Sequence, residues 1–537
     1  MQTVAEFERI RRRELPLSRN TLVWLSLLAF SIFYFTDVCL RASGKSFWYD
    51  ELLTLYFARL PDMHAIWGAL KTGVDSNPPG FDLLTRATEA IFGEGLIATR
   101  LPEIFAFWGM CLCLFRFVER RAGFAAGFIS MTLPMATGAY YYAYEARPLI
   151  IVAALGAAAL LCWDNALGVP RRNGWLIAFS FALFVAFMLH CYAVLLIIPF
   201  GVTELIRDAR DRRVNWPFWI ALTAPLIPAC VLYAPLFRAF GASSRGTEFV
   251  LTFPANWPNL LRFYTFLVLP CAAILLFALI LFAYDRSNPV ANSVGESESR
   301  RFTRQDVSLS LGFLALPVFG LLLARIVHTP YFSRYFLSAL IGIVVPFGVL
   351  AGMRPQRRWI TRVLAAAIVC SLAFDLARLM LHRSSDGGEG LTEPSSFTRL
   401  NTDPHQPLFL HPLISAVRKD SEPIAVIEQL DFLYLLHYAP DLTSRLYYVH
   451  SSGRDQGYRA LLGFLPWSPV KYNPVALGPS FVQAHPDFYL YADLGHMEEL
   501  YRISHLASIQ SFKVVGDHIL VKLQNSARVA PLNQHVR

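Results

Sequence analysis

The sequence predicts a polytopic α-helical membrane protein that ends in a small soluble α/β domain. Three observations carry this. Apolar stretches recur from about residue 21 to residue 381, each near the roughly 20 residues that one bilayer crossing requires. The 537 residues are 55% hydrophobic and only 16% charged, whereas a soluble chain carries about a quarter charged residues. Beyond residue 381 the composition turns to that of a soluble fold.

The apolar segments read as spans at approximately 21–41, 97–117, 123–141, 147–166, 174–189, 191–206, 216–236, 259–284, 307–326, 335–352 and 359–381, about eleven in all. The run after the basic "RIRRRELPLSRN" is too long for a signal-peptide core, and no small-residue cleavage pattern closes it. It reads as an uncleaved first span. Arginine clusters alternate along the spans: Arg9, Arg11, Arg12 and Arg13; Arg120 and Arg121; Arg171 and Arg172; Arg207, Arg210, Arg212 and Arg213; Arg300, Arg301 and Arg304; Arg354, Arg357 and Arg358. Short basic loops stay in the cytoplasm, and one alternation satisfies every cluster, with the N-terminus inside and the C-terminus outside. The loops at about 42–96, 139–147, 189–192, 237–258 and 327–334, and everything after 382, then share the outer side. The formal charge of +9 is therefore a topology signal, and no nucleic-acid partner is expected. Eight cysteines, Cys39 to Cys370, lie in or beside spans and read as small buried hydrophobes, with no disulfide framework and no zinc spacing.

Residues 1–381 thus form a membrane domain with a long first outer loop at about 42–96, and residues 382–537 form a linker and an outer α/β domain. Within the loop, Leu60, Met63, Ile66, Trp67 and Leu70 recur at helical spacing and suggest a helix lying in the interface plane. "SNPPG" breaks it, because two prolines remove two donors, and "FDLLTRATEAIF" resumes a second helix leading to Arg100. The insert from Asp285 to Asp306 is polar and Ser-rich, and "SSDGGEGLTEPSS" reads as a linker. "EPIAVIEQ" and "DFYLYADL" read as strands entering turns or helices, and "FKVVGDHILVKLQ" as a terminal hairpin.

The outer loops collect the ionisable groups. "FWYDELLTLYFARL" sets Asp50 and Glu51 side by side, and the same loop supplies Asn77, Asp82 and Arg100. "YYYAYEARPL" supplies Tyr144, Glu145 and Arg147; "LHCY" supplies His190 and Tyr192; "RIVHTPYFSRYF" supplies Arg325, His328, Tyr331, Arg334 and Tyr335. Such groups at membrane ends mark function or anchoring. Each has a plainer reading. Glu145 and Arg147 can pair with each other, Tyr140, Tyr141, Tyr142 and Tyr144 read as an aromatic belt, His190 suits a satisfied turn, and Arg334 can reach the headgroups. Their convergence on one face favours a site.

"WYDE" after the first span, "NPP" in the same loop, "TRLPEIFAF" opening the second span, "YEARPL", "LHCYAVL" and "PYFSRYFLSAL" occur in an order that resembles the GT-C glycosyltransferases, in particular the protein O-mannosyltransferase, aminoarabinose transferase and RgtA/B/C/D-like group. The likeness covers roughly residues 20–350. Gly80 and Asp82 depart from it, standing where that group more often has an apolar and an aromatic residue, and Leu149 replaces a usual tyrosine.

The resemblance implies the GT-C fold and inverting transfer of a hexose or pentose from a polyprenyl-phosphate carrier to a hydroxyl of a cell-envelope glycan, lipid or protein. By analogy the general base is Asp50, whose proton affinity a neighbouring Glu51 or an apolar setting would raise. Arg100, Arg147 and Arg334, helped by His328, are the candidates to hold the lipid phosphate. Glu51, Glu145 and His190 are expected to support acceptor, sugar or metal, and Asn77, Tyr144, Tyr192 and Tyr335 to line the pocket. Some relatives use a divalent cation and others do not, so a metal on Asp50 and Glu145 stays open. Two alternatives remain: a transporter, against which stand few mid-span charges and no visible repeat, and a non-catalytic binder of lipid-linked sugar. No Asn-x-Ser/Thr sequon occurs and the outer domain has no cysteine, which favours a bacterial inner membrane with the site facing the periplasm.

Overall fold

A computed structural model describes residues 19–72, 77–167, 172–244, 254–287, 302–352, 358–382, 415–450, 475–493, 497–515 and 518–525. The basic N-terminal stretch, most of the polar insert and the linker after the last span lie outside the described residues.

All eleven predicted segments are helical. The first span is α1, Arg19–Gly44, and the first loop holds α2, Tyr49–Ala58, α3, Met63–Leu70, and α4, Gly80–Phe92. The bundle continues through α5, Leu96–Ala122, α6, Phe124–Thr132, α7, Leu149–Ala166, and α8, Arg172–Leu189. Then follow α9, Ile197–Asp211, α10, Trp216–Thr223, α11, Leu226–Ser244, α12, Trp257–Val268, and α13, Ala272–Ser287. The last four are α14, Arg304–Leu314, α15, Leu316–Val327, α16, Ala339–Gly352, and α17, Arg358–His382. Among the described residues, seven stretches are long and apolar enough to cross a membrane, and α14 with α15, bent by 45°, makes an eighth. The remaining predicted spans are shorter: α6 with its 3₁₀ extension to Ala136, α16, and α9, entered through the 3₁₀ turn Cys191–Leu196.

Helix starts follow local chemistry. Thr303 and Asp306 cap α14 reciprocally, and Asp62 accepts the Ala65 N–H at 2.8 Å to start α3. Only part of the apolar face of α3 stays open, with Met63 42% exposed. Ile66, Ala69 and Leu70 are buried in the main core, so this helix braces the loop against the bundle. The tyrosines of "YYYAY" also differ from expectation. Tyr140, Tyr141, Tyr142 and Tyr144 sit in a 3₁₀ helix, all at most 7% exposed, and form no aromatic belt.

Residues 415–525 build a six-stranded sheet. Its strands are β1, Ile424–Val426, β2, Leu446–His450, β3, Val475–Ala476, β4, Asp487–Asp493, β5, Ala507–Val515, and β6, His518–Asn525. The order is β3-β2-β1-β4-β6-β5, parallel among the first four and antiparallel through β4, β6 and β5. The predicted hairpin is β5–β6. Between the strands run α18, Gln429–Tyr438, α19, Pro479–Ala484, and α20, Met497–Ser504. Successive strand residues face opposite sides, so Phe488 and Leu490 pack with Phe481, Val482, Leu500 and Ile503, while Tyr489 and Tyr491 face the other core.

That other core is shared. Phe47, Leu52 and Leu55 from the first loop of the membrane domain cluster with Ile424, Val426, Phe432, Leu435 and Tyr448 of the sheet domain. Both leucines are wholly buried, worth about 1.5–3 kcal/mol each. The helix bearing Asp50 and Glu51 therefore belongs to two hydrophobic cores at once. At its far side the loop closes on α8: a Cβ on Gly80 would fall against the Met188 carbonyl oxygen, which accounts for glycine at this position. Gly80→Ala is expected to cost about 1–3 kcal/mol by forced displacement, read as a lower melting temperature in detergent. An unchanged melting temperature would contradict this contact.

Candidate active site

Four stretches that the sequence set apart meet around α2. The chain leaves α1, turns through Lys45 to Trp48 and starts α2 so that Asp50 and Glu51, about 100° apart on the helix, point to different partners. Glu51 points inward. Its carboxylate accepts from Arg100 Nε at 2.7 Å and Nη2 at 2.8 Å, from the Ala146 N–H at 2.7 Å and from the Trp48 N–H at 3.2 Å. Arg100 uses its remaining donors on the carbonyls of Ala42, Lys45 and Ser46 at 2.7, 2.8 and 3.1 Å. Both side chains are fully buried.

This corrects two expectations. Every N–H of Arg100 is spoken for by Glu51 or a backbone carbonyl, so it offers nothing to a lipid phosphate. Glu51 is a structural carboxylate with no free face for acceptor, sugar or metal.

Asp50 has the opposite surroundings. Its Oδ2 lies 2.7 Å from Arg334 Nη2 and 3.6 Å from Arg147 Nη2, and its side chain keeps 12% exposure. Arg147 Nη1 also donates to the Asp50 carbonyl at 3.4 Å, and the Thr54 hydroxyl to the same oxygen at 3.0 Å. Burial pushes the Asp50 carboxyl up, but the two guanidiniums and the Arg334 hydrogen bond outweigh it and hold the group below the usual carboxylate range. The expected rise does not occur, because Arg100 and Lys45 neutralise Glu51 while Asp50 faces two cations of its own.

Glu145 does not pair with Arg147. It accepts from Lys45 Nζ at 3.2 Å, both groups being buried, and that ammonium sits 3.9 Å above the Tyr141 ring and 5.6 Å from that of Tyr144. The Arg147 N–H bonds the Glu145 carbonyl at 2.7 Å, and this tight turn sends the two side chains to different partners. A divalent cation on Asp50 and Glu145 does not fit: each carboxylate already faces an organic cation, and among the described residues no group of three His, Cys, Asp or Glu side chains could hold a metal.

His190 ends α8. Its Nδ1 accepts the Tyr192 N–H at 3.2 Å, so the neutral ring carries its proton on Nε2, a buried atom without a partner among the described residues. Ligating a metal through Nε2 would require the other tautomer and would set two donors face to face. Burial first, then Arg147 and Arg334, push His190 down to about 3, which keeps it neutral. Tyr335 packs on it with ring centroids 4.5 Å apart, and Tyr192 lies 5.2 Å from Tyr335. Asn77 is buried just before α4. His328 does not join the group: it is exposed at a left-handed position after α15, with Nδ1 3.2 Å from the Ile326 carbonyl.

Sequence reasoning missed Lys45 and Trp48. The signal for Lys45 was a single lysine closing the first span, five residues before Asp50. Trp48 stacks at 5.4 Å from the Arg334 guanidinium. It also missed the charged trio of Asp37, Arg41 and Asp375 inside the spans, where Arg41 bonds Asp37 at 2.8 Å and Asp375 at 2.5 Å, and a fourth residue, Tyr140, donates to Asp37 at 2.5 Å.

The two adjacent carboxylates make opposite predictions. Glu51→Gln strands the Arg100 charge in the interior and is expected to cost about 3–5 kcal/mol. Asp50→Asn, beside partly open groups, should shift the melting temperature much less. Thermal melts in detergent compare them, and the reverse ranking would make Asp50 the structural member.

Residues 76–234 match the family described as dolichyl-phosphate-mannose-protein mannosyltransferase. No curated protein matches the chain. Among solved structures, ArnT from Cupriavidus metallidurans bound to undecaprenyl phosphate aligns with a TM-score of 0.53 at 14% identity, covering 94% of this chain and 98% of that one. Its apo state gives 0.47 at 14% identity over the same shares. The oligosaccharyltransferase of Archaeoglobus fulgidus with Zn and sulfate gives 0.41 at 10% identity, covering 94% of this chain and 74% of that one. The ordered motifs, the family match and the first of these alignments agree: the chain is a multi-pass membrane protein with the GT-C glycosyltransferase fold.

Proposed function

We propose that the protein transfers a sugar from a polyprenyl-phosphate carrier to a hydroxyl of a cell-envelope acceptor, on the periplasmic face of a bacterial inner membrane. The observation that carries this is the arrangement around Asp50. A carboxylate kept ionised by Arg147 and Arg334 stands where Arg334 also has a buried Nε–H without an acceptor among the described residues. The ArnT structure of the same fold holds undecaprenyl phosphate, which supports a lipid phosphate as the carrier here.

The acceptor oxygen attacks the anomeric carbon and its proton passes to Asp50 Oδ. The bond from that carbon to the phosphate oxygen breaks, and the carrier phosphate leaves with the electron pair. Configuration inverts. The leaving phosphate is already a stable anion, so no general acid is needed, and Arg334 with Arg147 holds its growing charge.

A carboxylate with a depressed pKa is a weak base, and the same two arginines resolve this. A phosphate drawn between them takes up part of their charge, so Asp50 gains proton affinity only once the donor is bound. His190, uncharged and fixed as an Nε2–H donor, adds a hydrogen bond without a competing charge.

Two experiments test the reading. Purified protein in liposomes is given a panel of undecaprenyl-phosphate-linked hexoses and pentoses with total cell-envelope extract, and released undecaprenyl phosphate is measured. Asp50→Asn is expected to lose at least about 100-fold in rate while still binding undecaprenyl phosphate; retained transfer would sink the base assignment. In the pH profiles the acid limb of kcat should lie at higher pH than that of kcat/KM, because the first reports the loaded enzyme and the second the free one. Rate is lost as pH falls and Asp50 takes up a proton, and coincident limbs would contradict the charge sharing.

A further inference from the structure

The corner that holds Arg100 is gripped from outside the membrane domain. On α18, Tyr434, His437 and Tyr438 stand at helical spacing on one face. The Tyr438 hydroxyl accepts the Phe47 N–H at 2.7 Å and hydrogen bonds the Ser46 side chain. The His437 ring meets the Phe47 ring edge-on at 5.6 Å, and the Arg100 guanidinium lies 5.0 Å from the centre of the same Phe47 ring. The carbonyls of Ser46 and Lys45, together with that of Ala42, receive Arg100.

The order of contacts is continuous. Tyr438 fixes Ser46 and Phe47, these with Lys45 fix Arg100, and Arg100 fixes Glu51. On the other side of Asp50's neighbour, Leu52 is held in the sheet domain's core. Asp50 thus projects toward Arg334 from a short segment pinned at both following residues, one by a buried ion pair and one by the C-terminal domain.

We infer that the C-terminal domain is a working part of the transfer site, with Tyr438 a positioning residue that sets the aim of Asp50 through the Ser46–Phe47 corner. The inference rests on the glycosyltransferase reading above for the word transfer, but the positioning itself does not. A displacement of about 1 Å in a base costs up to about 100-fold in rate, so a lost hydrogen bond at this corner registers in turnover even where the fold survives.

Tyr438→Phe in the full-length protein tests it, since the ring keeps its packing and only the hydroxyl goes. In nanodiscs, hydrogen exchange of peptides covering residues 45–52 is expected to quicken on the order of 5-fold, the factor given by one ordinary hydrogen bond, while peptides of the sheet and the spans stay unchanged. With whichever donor of the panel turns over, kcat should fall about tenfold with KM for the donor within twofold, and the affinity for undecaprenyl phosphate should hold. Unchanged exchange at 45–52 overturns the proposal. So does a uniform rise in exchange across the sheet domain, which marks Tyr438 as mere packing. A wild-type protein that turns over no donor and binds no undecaprenyl phosphate, yet shows the local exchange change, counts against the glycosyltransferase reading and leaves the positioning intact.

Discussion

A guanidinium without water must spend all its hydrogens on fixed acceptors, and Arg100 does so with one carboxylate and three carbonyls. The worth of such a pair is in geometry more than in net stability, because the desolvation of both charges absorbs most of the Coulomb gain. The geometry is extensive. The carbonyls of Ala42, Lys45 and Ser46 converge on one group, which dictates how the chain leaves the first span. Glu51, held by that group, takes the Ala146 N–H and so draws the 145–147 turn against α2. Lys45 then reaches Glu145, and Arg147 reaches Asp50.

Adjacent carboxylates next to a membrane would repel each other if they shared an environment. They do not. The helical step separates them, and four cations divide between them: Arg100 and Lys45 bear on Glu51, Arg147 and Arg334 on Asp50. The outcome is two acids of nearly the same chemistry, one immobile within a sealed network and the other with an edge toward solvent. Environments that differ in this way are what separate roles within a site.

Much of this was legible in the sequence. The apolar runs gave the spans, because crossing length and hydropathy are local properties, and alternating arginines brought Asp50, Glu145, Arg147 and Arg334 to one end of the bundle. The β5–β6 hairpin was written in its period-two pattern. What stayed hidden was pairing. Whether an arginine reaches toward a ligand or turns back on a carbonyl depends on angles between elements that no window of residues contains, so Arg100 and Arg334 looked alike and have opposite fates. Tyr140 to Tyr144 read as a belt because an interface and a buried 3₁₀ turn call for the same residue type. Leu52 and Leu55 look like an ordinary amphipathic stripe, and nothing near them in sequence tells that residues 424–448 complete their core.

The trio of Asp37, Arg41 and Asp375 has a bearing on biogenesis. Arg41 is on α1, and the acid that completes its bonding stands 334 residues later in the chain, on α17. Until α17 has been made, Asp37, a single turn away, is the carboxylate at hand for the guanidinium, so the α1–α17 contact closes only after the helices between them have been synthesised.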